Sequence, residues 1–263
     1  MSFTVPTIEW AGLAPVLIIL GAGVLGVLVE ALVPRAGRLY TQAVLSALAV
    51  LGAGAAFVMR WAQVLPQDAS TGQVVPSGSV LTPGISEDPF GVAAQGIMLV
   101  IGLLSVLIMA DRTTAGDGAF AAQAADRPGS AEETESLHHG WTTTEVFPLT
   151  MFSLAGMMLF PMVNDFIALF VVLELISLPL YIMAATARHR RLLSQESALK
   201  YFVLGAFASA FLLLGSALLY GLSGSVSYTS IATRLAAGGG ADVIDMDWLG
   251  LAGVALVTVG LLF

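Results

Sequence analysis

Apolar residues in this chain are grouped into seven runs, separated by polar connectors, and each run has the composition expected for a membrane-spanning helix. A helix needs about 20 residues to cross the hydrocarbon layer of a bilayer, which is about 30 Å thick. Both faces of each run are apolar, as is typical of a membrane span and not of a helix on the surface of a soluble protein. The predicted spans are residues 12–33, 41–63, 90–110, 146–163, 165–187, 195–222 and 248–263.

The connectors between the predicted spans differ in length and polarity. Residues 64–89 are rich in Pro, Gly and Ser, and residues 111–145 are predicted to be a mobile, polar loop insertion. Spans four and five are joined almost directly, and Asn164 or Asp165 is placed to cap the fifth helix. The last span stops after about 16 apolar residues, so we expect residues 1–263 to be a single membrane domain from a longer protein.

The arginines are distributed unevenly between the two sides of the predicted membrane. Only two of them, Arg60 and Arg234, fall on the side that includes the N-terminus. By the positive-inside rule the N-terminus is therefore predicted to lie outside, with the arginine-rich connectors in the cytoplasm. These connectors, after spans one, three and five, hold Arg35 and Arg38, Arg112 and Arg127, and Arg188, Arg190 and Arg191.

Composition supports a membrane protein and excludes several kinds of chemistry. Hydrophobic residues make up 57% of the chain and charged residues 11%, and the mean hydropathy is +0.89. The absence of cysteine excludes disulfides and iron–sulfur ligation by this chain, so we expect no redox centre and no cofactor in it. The net charge of −8 leaves no basic patch for nucleic acid.

His138 and His139 lie close to several glutamates, a combination that also occurs in metal sites. Here they belong to an acidic, low-complexity connector, which is more typical of a solvated segment. We therefore predict no metal site in the chain. The neighbouring acids are Glu132, Glu133 and Glu135.

Glu174 is an ionisable acid in the middle of the fifth apolar run, roughly 14 Å from its first residue at 1.5 Å per residue. A charge at that depth costs about 2.5–3.5 kcal/mol on insertion scales unless it is neutralised, paired or hydrated. Such acids commonly serve ion or proton pathways, although a protonated acid that hydrogen-bonds to a neighbouring helix is an alternative. Pro179 and Ser177 follow closely and predict a local kink beside a polar cavity.

Lys200 is the only lysine in the chain, whereas the other nine cations are arginines. A desolvated lysine exchanges protons near neutral pH, which arginine does not. With Ser194 as the predicted N-cap, Lys200 would lie roughly 9 Å inside the sixth span. Alternatively, Glu196 four residues earlier forms a surface ion pair with it, and the two interpretations are compatible.

Gly205 and Ser209 lie at helical spacing on the same span as Lys200. Small residues at this spacing commonly let two membrane helices approach closely. We therefore predict that both are helix-packing contacts.

Several segments resemble the antiporter-like membrane subunits of bacterial respiratory complex I, the proton-translocating NADH:quinone oxidoreductase, and among them subunit N. The resemblance is strong over 156–225 and upstream rests on span order. The related subunits M and L share the glutamate and the lysine but surround them with other residues. The segments are GMML at 156–159, ND at 164–165, LELISLPLY at 173–181, ESALKYFVLGAFAS at 196–209 and LLYGLSGS at 218–225.

This resemblance implies an all-α, antiporter-like bundle of about fourteen helices with inverted repeats, of which the chain holds the first half. It implies that Glu174 and Lys200 belong to a line of charged residues near the membrane midplane, with a further lysine beyond Phe263. It also implies other membrane-arm subunits as partners in a bacterial inner membrane. NADH, FMN, iron–sulfur clusters and quinone are expected in the wider complex.

The expected mechanism is proton movement through hydrated half-channels. Lys200 would take up a proton near the cytoplasm, and Glu174 would act deeper in the membrane. Helix geometry places the two residues roughly 12 Å apart in depth, which argues against direct contact. The alternatives are a subunit of a cation/proton antiporter and a structural membrane subunit that uses both charges to join helices.

Overall fold

The computed structural model describes residues 8–64, 79–111, 120–123, 126–139, 141, 143–187, 191–237 and 247–262. Arg112, Arg188 and Arg190, on which part of the orientation argument rests, lie outside the described residues. Nearly all of the described chain is helical. The helices are α1 (Trp10–Leu32), α2 (Arg35–Val64), α3 (Pro89–Ala110), α4 (Ala131–His138), α5 (Val146–Leu159), α6 (Phe166–Ala185), α7 (Arg191–Ser223), α8 (Tyr228–Ala237) and α9 (Asp247–Leu262).

Five of these helices are long and apolar enough to cross a membrane: α1, α2, α3, α6 and α7. Helix α5, extended by a turn of 3-10 helix at Phe160–Met162, and α9 are shorter apolar helices. The prediction of an all-α polytopic membrane protein is confirmed. The total of seven crossings stays a prediction.

Two helices begin several residues earlier than their predicted spans. Helix α2 begins at Arg35, directly after Pro34. Helix α7 begins at Arg191, so Ser194 lies inside its first turn, and the predicted N-cap is wrong. Lys200 is consequently nine residues into α7, which is about 13 Å along the helix axis.

The described parts of the 111–145 connector lie against the ends of the apolar helices. Helix α4 falls within this connector, and the Ala121 amide donates to the Thr186 carbonyl at the end of α6, at 2.8 Å. The guanidinium of Arg35 lies 4.3 Å from the ring centroid of Trp141, a cation–π contact. The polarity of the segment predicted a loop. It could not predict these contacts, because they join residues that are far apart in the chain.

The helices pack in two groups that meet between α5 and α6. Helices α1, α2, α3 and α5 surround one buried apolar cluster, while α6, α7, α8 and α9 surround a second. Gln42, fully buried, links α1 to α2 because its amide donates to the Gly26 carbonyl and to the Glu30 carboxylate, both at 2.8 Å. The site described below lies in the second group.

A short antiparallel hairpin connects several helix ends on one side of the bundle. Strands β1 (Ser79–Thr82) and β2 (Ile85–Glu87) turn at Gly84, whose φ of +85° favours glycine. The Gly84 carbonyl accepts from the Asn164 amide at 2.8 Å, next to the start of α6.

Asp165 caps α6 by accepting from the Ala168 amide at 2.6 Å, which confirms that part of the prediction. Tyr228, at the start of α8, lies close to the same junction, with its ring edge against Phe166. Burial, and then the nearby Asp165 carboxylate, raise the pKa of Tyr228 to about 12. The phenol therefore stays neutral well above physiological pH.

The Arg60–Glu87 ion pair fastens the hairpin to α2, and its disruption is expected to destabilise the fold. Glu87 is 1% exposed and Arg60 17% exposed, with Nε of Arg60 2.8 Å from a Glu87 oxygen. Arg60→Ala leaves a buried carboxylate without its cation, so we expect a loss of about 3–5 kcal/mol. Thermal unfolding in detergent measures this, with Glu135→Ala, an exposed acid of α4, as the unchanged control; equal midpoints would contradict the prediction.

The packing of α9 on α7 depends on glycine, which gives a second stability prediction. A Cβ at Gly215 would lie 2.7 Å from the backbone of α9, whereas a Cβ at Gly221, on the same helix, would meet nothing within 4 Å. Gly215→Ala is therefore expected to lower the unfolding midpoint. Gly221→Ala should leave it unchanged or raise it slightly, because alanine favours helix. Similar effects of the two variants would show that close packing at Gly215 is unimportant.

Candidate functional site

Glu174 is half-buried between α6 and α7, with its carboxylate turned towards the neighbouring helix. The Ser209 hydroxyl of α7 donates to Oε1 of Glu174 at 2.5 Å. The acid therefore has a polar partner inside an apolar helix pair, as its cost in a low-dielectric environment requires. This partner is 35 residues away along the chain.

The backbone hydrogen-bond pattern of α6 is interrupted shortly after Glu174 by Pro179. Pro179 is buried within the helix and has no N–H to donate to the carbonyl of residue 175. Helix α5 approaches closely here, because Gly156 has no side chain to separate it from the backbone of Ile176. The Ser153 hydroxyl of α5 donates to the Ile176 carbonyl at 3.2 Å, and thus supplies a bond next to the interrupted turn.

A pocket of about 320 Å³ lies beside Glu174, on the faces of α6 and α7 that meet. Glu174 and Ser209 contribute polar groups, and the remaining walls are apolar or aromatic. These other residues are Phe170, Tyr181, Phe202, Ala206, Ala210 and Leu213.

A row of polar groups continues from Glu174 along α6. Ser177 and Tyr181 follow at three and seven residues, so all three lie on one face of the helix. The ring of Tyr181 meets the ring of Tyr201 on α7. The row covers roughly 10 Å and leads towards the end of α6 that is predicted to face the cytoplasm.

Lys200 has different surroundings from Glu174. Its side chain is 69% exposed, and its ammonium lies 2.5 Å from the Glu196 carboxylate in an i,i+4 ion pair on α7. This is the pair that the sequence indicated.

The structure does not bring Lys200 and Glu174 together. Ser209, the partner of Glu174, is nine residues from Lys200 on α7, which is about 13 Å along the axis and two and a half turns around it. Lys200 therefore projects from the opposite side of α7. The absence of direct contact agrees with the difference in depth that the sequence predicted for the two residues. The sequence did not predict that their side chains point to opposite sides of α7.

Ser209 was interpreted from the sequence only as a packing residue, but it holds the Glu174 carboxylate. The available signal was its hydroxyl on a face of α7 made of small residues, yet pairing this face with Glu174 needs the packing of α6 against α7. Gly205 does pack, since its missing side chain makes room for the Tyr181 ring.

The structure also bears on metal binding. Among the residues that it describes, no three His, Cys, Asp or Glu side chains converge to hold an ion. His139 instead stacks on Trp141, with its Nε2 3.8 Å from Glu135.

Chains of two solved respiratory membrane complexes share this fold. One is from respiratory complex I of Thermus thermophilus with bound aureothin, with a TM-score of 0.60, 24% identity, and coverage of 94% of this chain and 43% of that one. The other is from the membrane-bound sulfane sulfur reductase, an archaeal respiratory membrane complex, with a TM-score of 0.64, 20% identity, and coverage of 96% and 44%. The family described as "NADH:quinone oxidoreductase/Mrp antiporter, TM" matches residues 163–263, which include Glu174, Ser209 and the pocket between them. These residues therefore form an antiporter-like membrane domain.

Curated relatives narrow this class to one subunit. NADH-quinone oxidoreductase subunit N of Beutenbergia cavernae is 46% identical over 100% of this chain and 48% of its own length. The subunit N of Acidothermus cellulolyticus is 46% identical over 96% and 46%, respectively. The chain belongs to the family of NADH-quinone oxidoreductase subunit N, and it spans about half the length of the curated relatives that it matches.

Proposed function

We propose that this chain is part of a proton-translocating subunit in the membrane arm of an NADH:quinone oxidoreductase, and that Glu174 carries protons in it. The observation that carries the proposal is a carboxylate in the middle of a membrane helix, hydrogen-bonded to a hydroxyl of the next helix and beside a pocket. Intramembrane acids in such settings are typical of proton relays.

The surroundings of Glu174 suit a group that changes its charge. The pocket beside it is mostly apolar, and the Ser209 hydroxyl is its hydrogen-bond partner. In such a setting a gained or lost neighbouring charge loads or releases a proton. One pKa unit corresponds to about 1.4 kcal/mol, so an ion pair gained or lost beside a carboxylate changes its proton affinity by a large factor.

Protons reach Glu174, in this proposal, along the Ser177 and Tyr181 side of α6. The hydroxyl groups of Ser177 and Tyr181 lie on the same face of α6 as Glu174, and water that enters the pocket would bridge them towards the end predicted to be cytoplasmic. Lys200 is a separate proton-carrying group. It acts on the opposite face of α7, where it pairs with Glu196.

The wider assembly follows from the same family. We propose that the chain is embedded in a bacterial inner membrane with its N-terminus outside, contacts other membrane-arm subunits and binds no nucleic acid. NADH, FMN, iron–sulfur clusters and quinone belong to other subunits, and this chain holds no redox centre and no metal.

Glu174→Gln is expected to lower proton pumping several-fold while the complex still assembles, because glutamine keeps the shape and the hydrogen bond but not the titratable proton. The measurement is the acid gradient formed in proteoliposomes by the assembled complex, normalised to its NADH:quinone turnover. Glu132→Gln, an exposed acid on α4, is the matched control and should pump normally. Normal pumping by an assembled Glu174→Gln complex would contradict the role.

The two alternative functions give other outcomes in the same preparation. A structural role for Glu174 would lower assembly before it lowered pumping. A cation/proton antiporter would exchange sodium for protons without NADH, and would need no quinone reduction.

Lys200→Arg separates a proton-carrying lysine from a surface ion pair. Arginine preserves the positive charge and the pairing with Glu196 but does not release its proton. We expect lower pumping with normal assembly in the same assay. Normal pumping by Lys200→Arg, together with reduced assembly of Lys200→Met, would instead assign Lys200 to the ion pair alone.

A further inference from the structure

Ser209 differs from Ser216 and Ser223 of the same helix in where its hydroxyl points. Ser216 and Ser223 donate to carbonyls four residues earlier on their own helix, those of Leu212 and Leu219, at 2.7 and 2.8 Å. This back-bonding is the usual arrangement of serine in an apolar helix. Ser209 donates instead across the helix pair to Glu174.

A hydroxyl is well suited to an acid that gains and loses a proton. A carboxylate only accepts hydrogen bonds, whereas a carboxylic acid also donates one. Serine donates to the first and accepts from the second by rotating its O–H, so the contact survives both charge states. An alanine would provide neither contact, and the ionised state would lose more, because hydrogen bonds to charged groups are the stronger ones.

Among the groups near Glu174, Ser209 is the one whose hydrogen bond can influence the protonation of its carboxylate. Helix α5, packed on the other side of α6, carries no ionisable residue along Val146–Leu159. Tyr181 lines the pocket about 10 Å along α6 from Glu174, and its ring contacts the ring of Tyr201. Glu196 and Lys200 pair with each other on the outer face of α7.

We propose that Ser209 is a positioning residue that holds the Glu174 carboxylate against α7 and sets the pH at which it takes up its proton. The proposal rests on the proposed function only in treating that protonation as part of pumping. The structural claim concerns Glu174 itself and has its own measurement.

The experiment follows the protonated carboxyl band of Glu174 by infrared difference spectroscopy on the assembled complex, with the band assigned through its loss in Glu174→Gln. In Ser209→Ala the midpoint of the titration should move up by about one pH unit, since the ionised form loses its hydrogen-bond donor. Ser209→Thr keeps the hydroxyl and should restore the midpoint. Ser216→Ala removes a hydroxyl from the same helix that bonds only backbone, and should leave the midpoint in place.

A midpoint in Ser209→Ala equal to that in Ser216→Ala would overturn the proposal. If the alanine variant fails to assemble, Ser209→Cys retains most of the volume with a weaker donor, and should give a smaller shift in the same direction; no shift would again overturn it. A shifted band combined with normal pumping by Glu174→Gln would remove the proposed function and leave the positioning role intact. Reduced pumping by Glu174→Gln without any shift in the Ser209 variants would support the proposed function and remove the positioning role of Ser209.

Discussion

An acid in the hydrocarbon layer needs a polar partner, and the hydrogen bond between Glu174 and Ser209 satisfies this need by joining α6 to α7. The remainder of the site is organised around that contact. Helix α7 presents small residues towards α6, which allow the two backbones to approach and leave space for the pocket. Larger residues on this face would separate the serine from the acid and fill the space beside it.

Helix α5 supports the same contact from the other side. Pro179 removes a hydrogen bond from α6 just after Glu174, and the close approach of α5 at Gly156, with the bond from Ser153, holds the weakened segment in place. Two contacts determine where α6 begins: the hydrogen bond from the Asn164 amide to the Gly84 carbonyl of the hairpin, and the cap at Asp165. The depth of Glu174 in the membrane thus depends on contacts at both ends of a short stretch of helix.

The two charged residues singled out by the sequence lie on different surfaces. Glu174 is half-buried between two helices, whereas Lys200 extends from the outer face of α7, paired with Glu196. Because nine residues separate Lys200 from Ser209, helix geometry sends the two side chains in opposite directions. A relay that uses both must therefore pass around α7.

The sequence by itself determined the class of protein, the approximate positions of the apolar helices, a cap at Asn164 or Asp165 and the two unusual ionisable residues. These features follow from local rules: the length of an apolar run, the preference of a cap, and the cost of a charge among apolar neighbours. Only the tertiary structure decided that Ser209 is the partner of Glu174, that Ser153 bonds the backbone of α6, and that Lys200 points away from the pocket. The physical reason is that each of these depends on which helix faces lie together, and packing between apolar helices is determined by the fit of their surfaces over many residues and not by any single position.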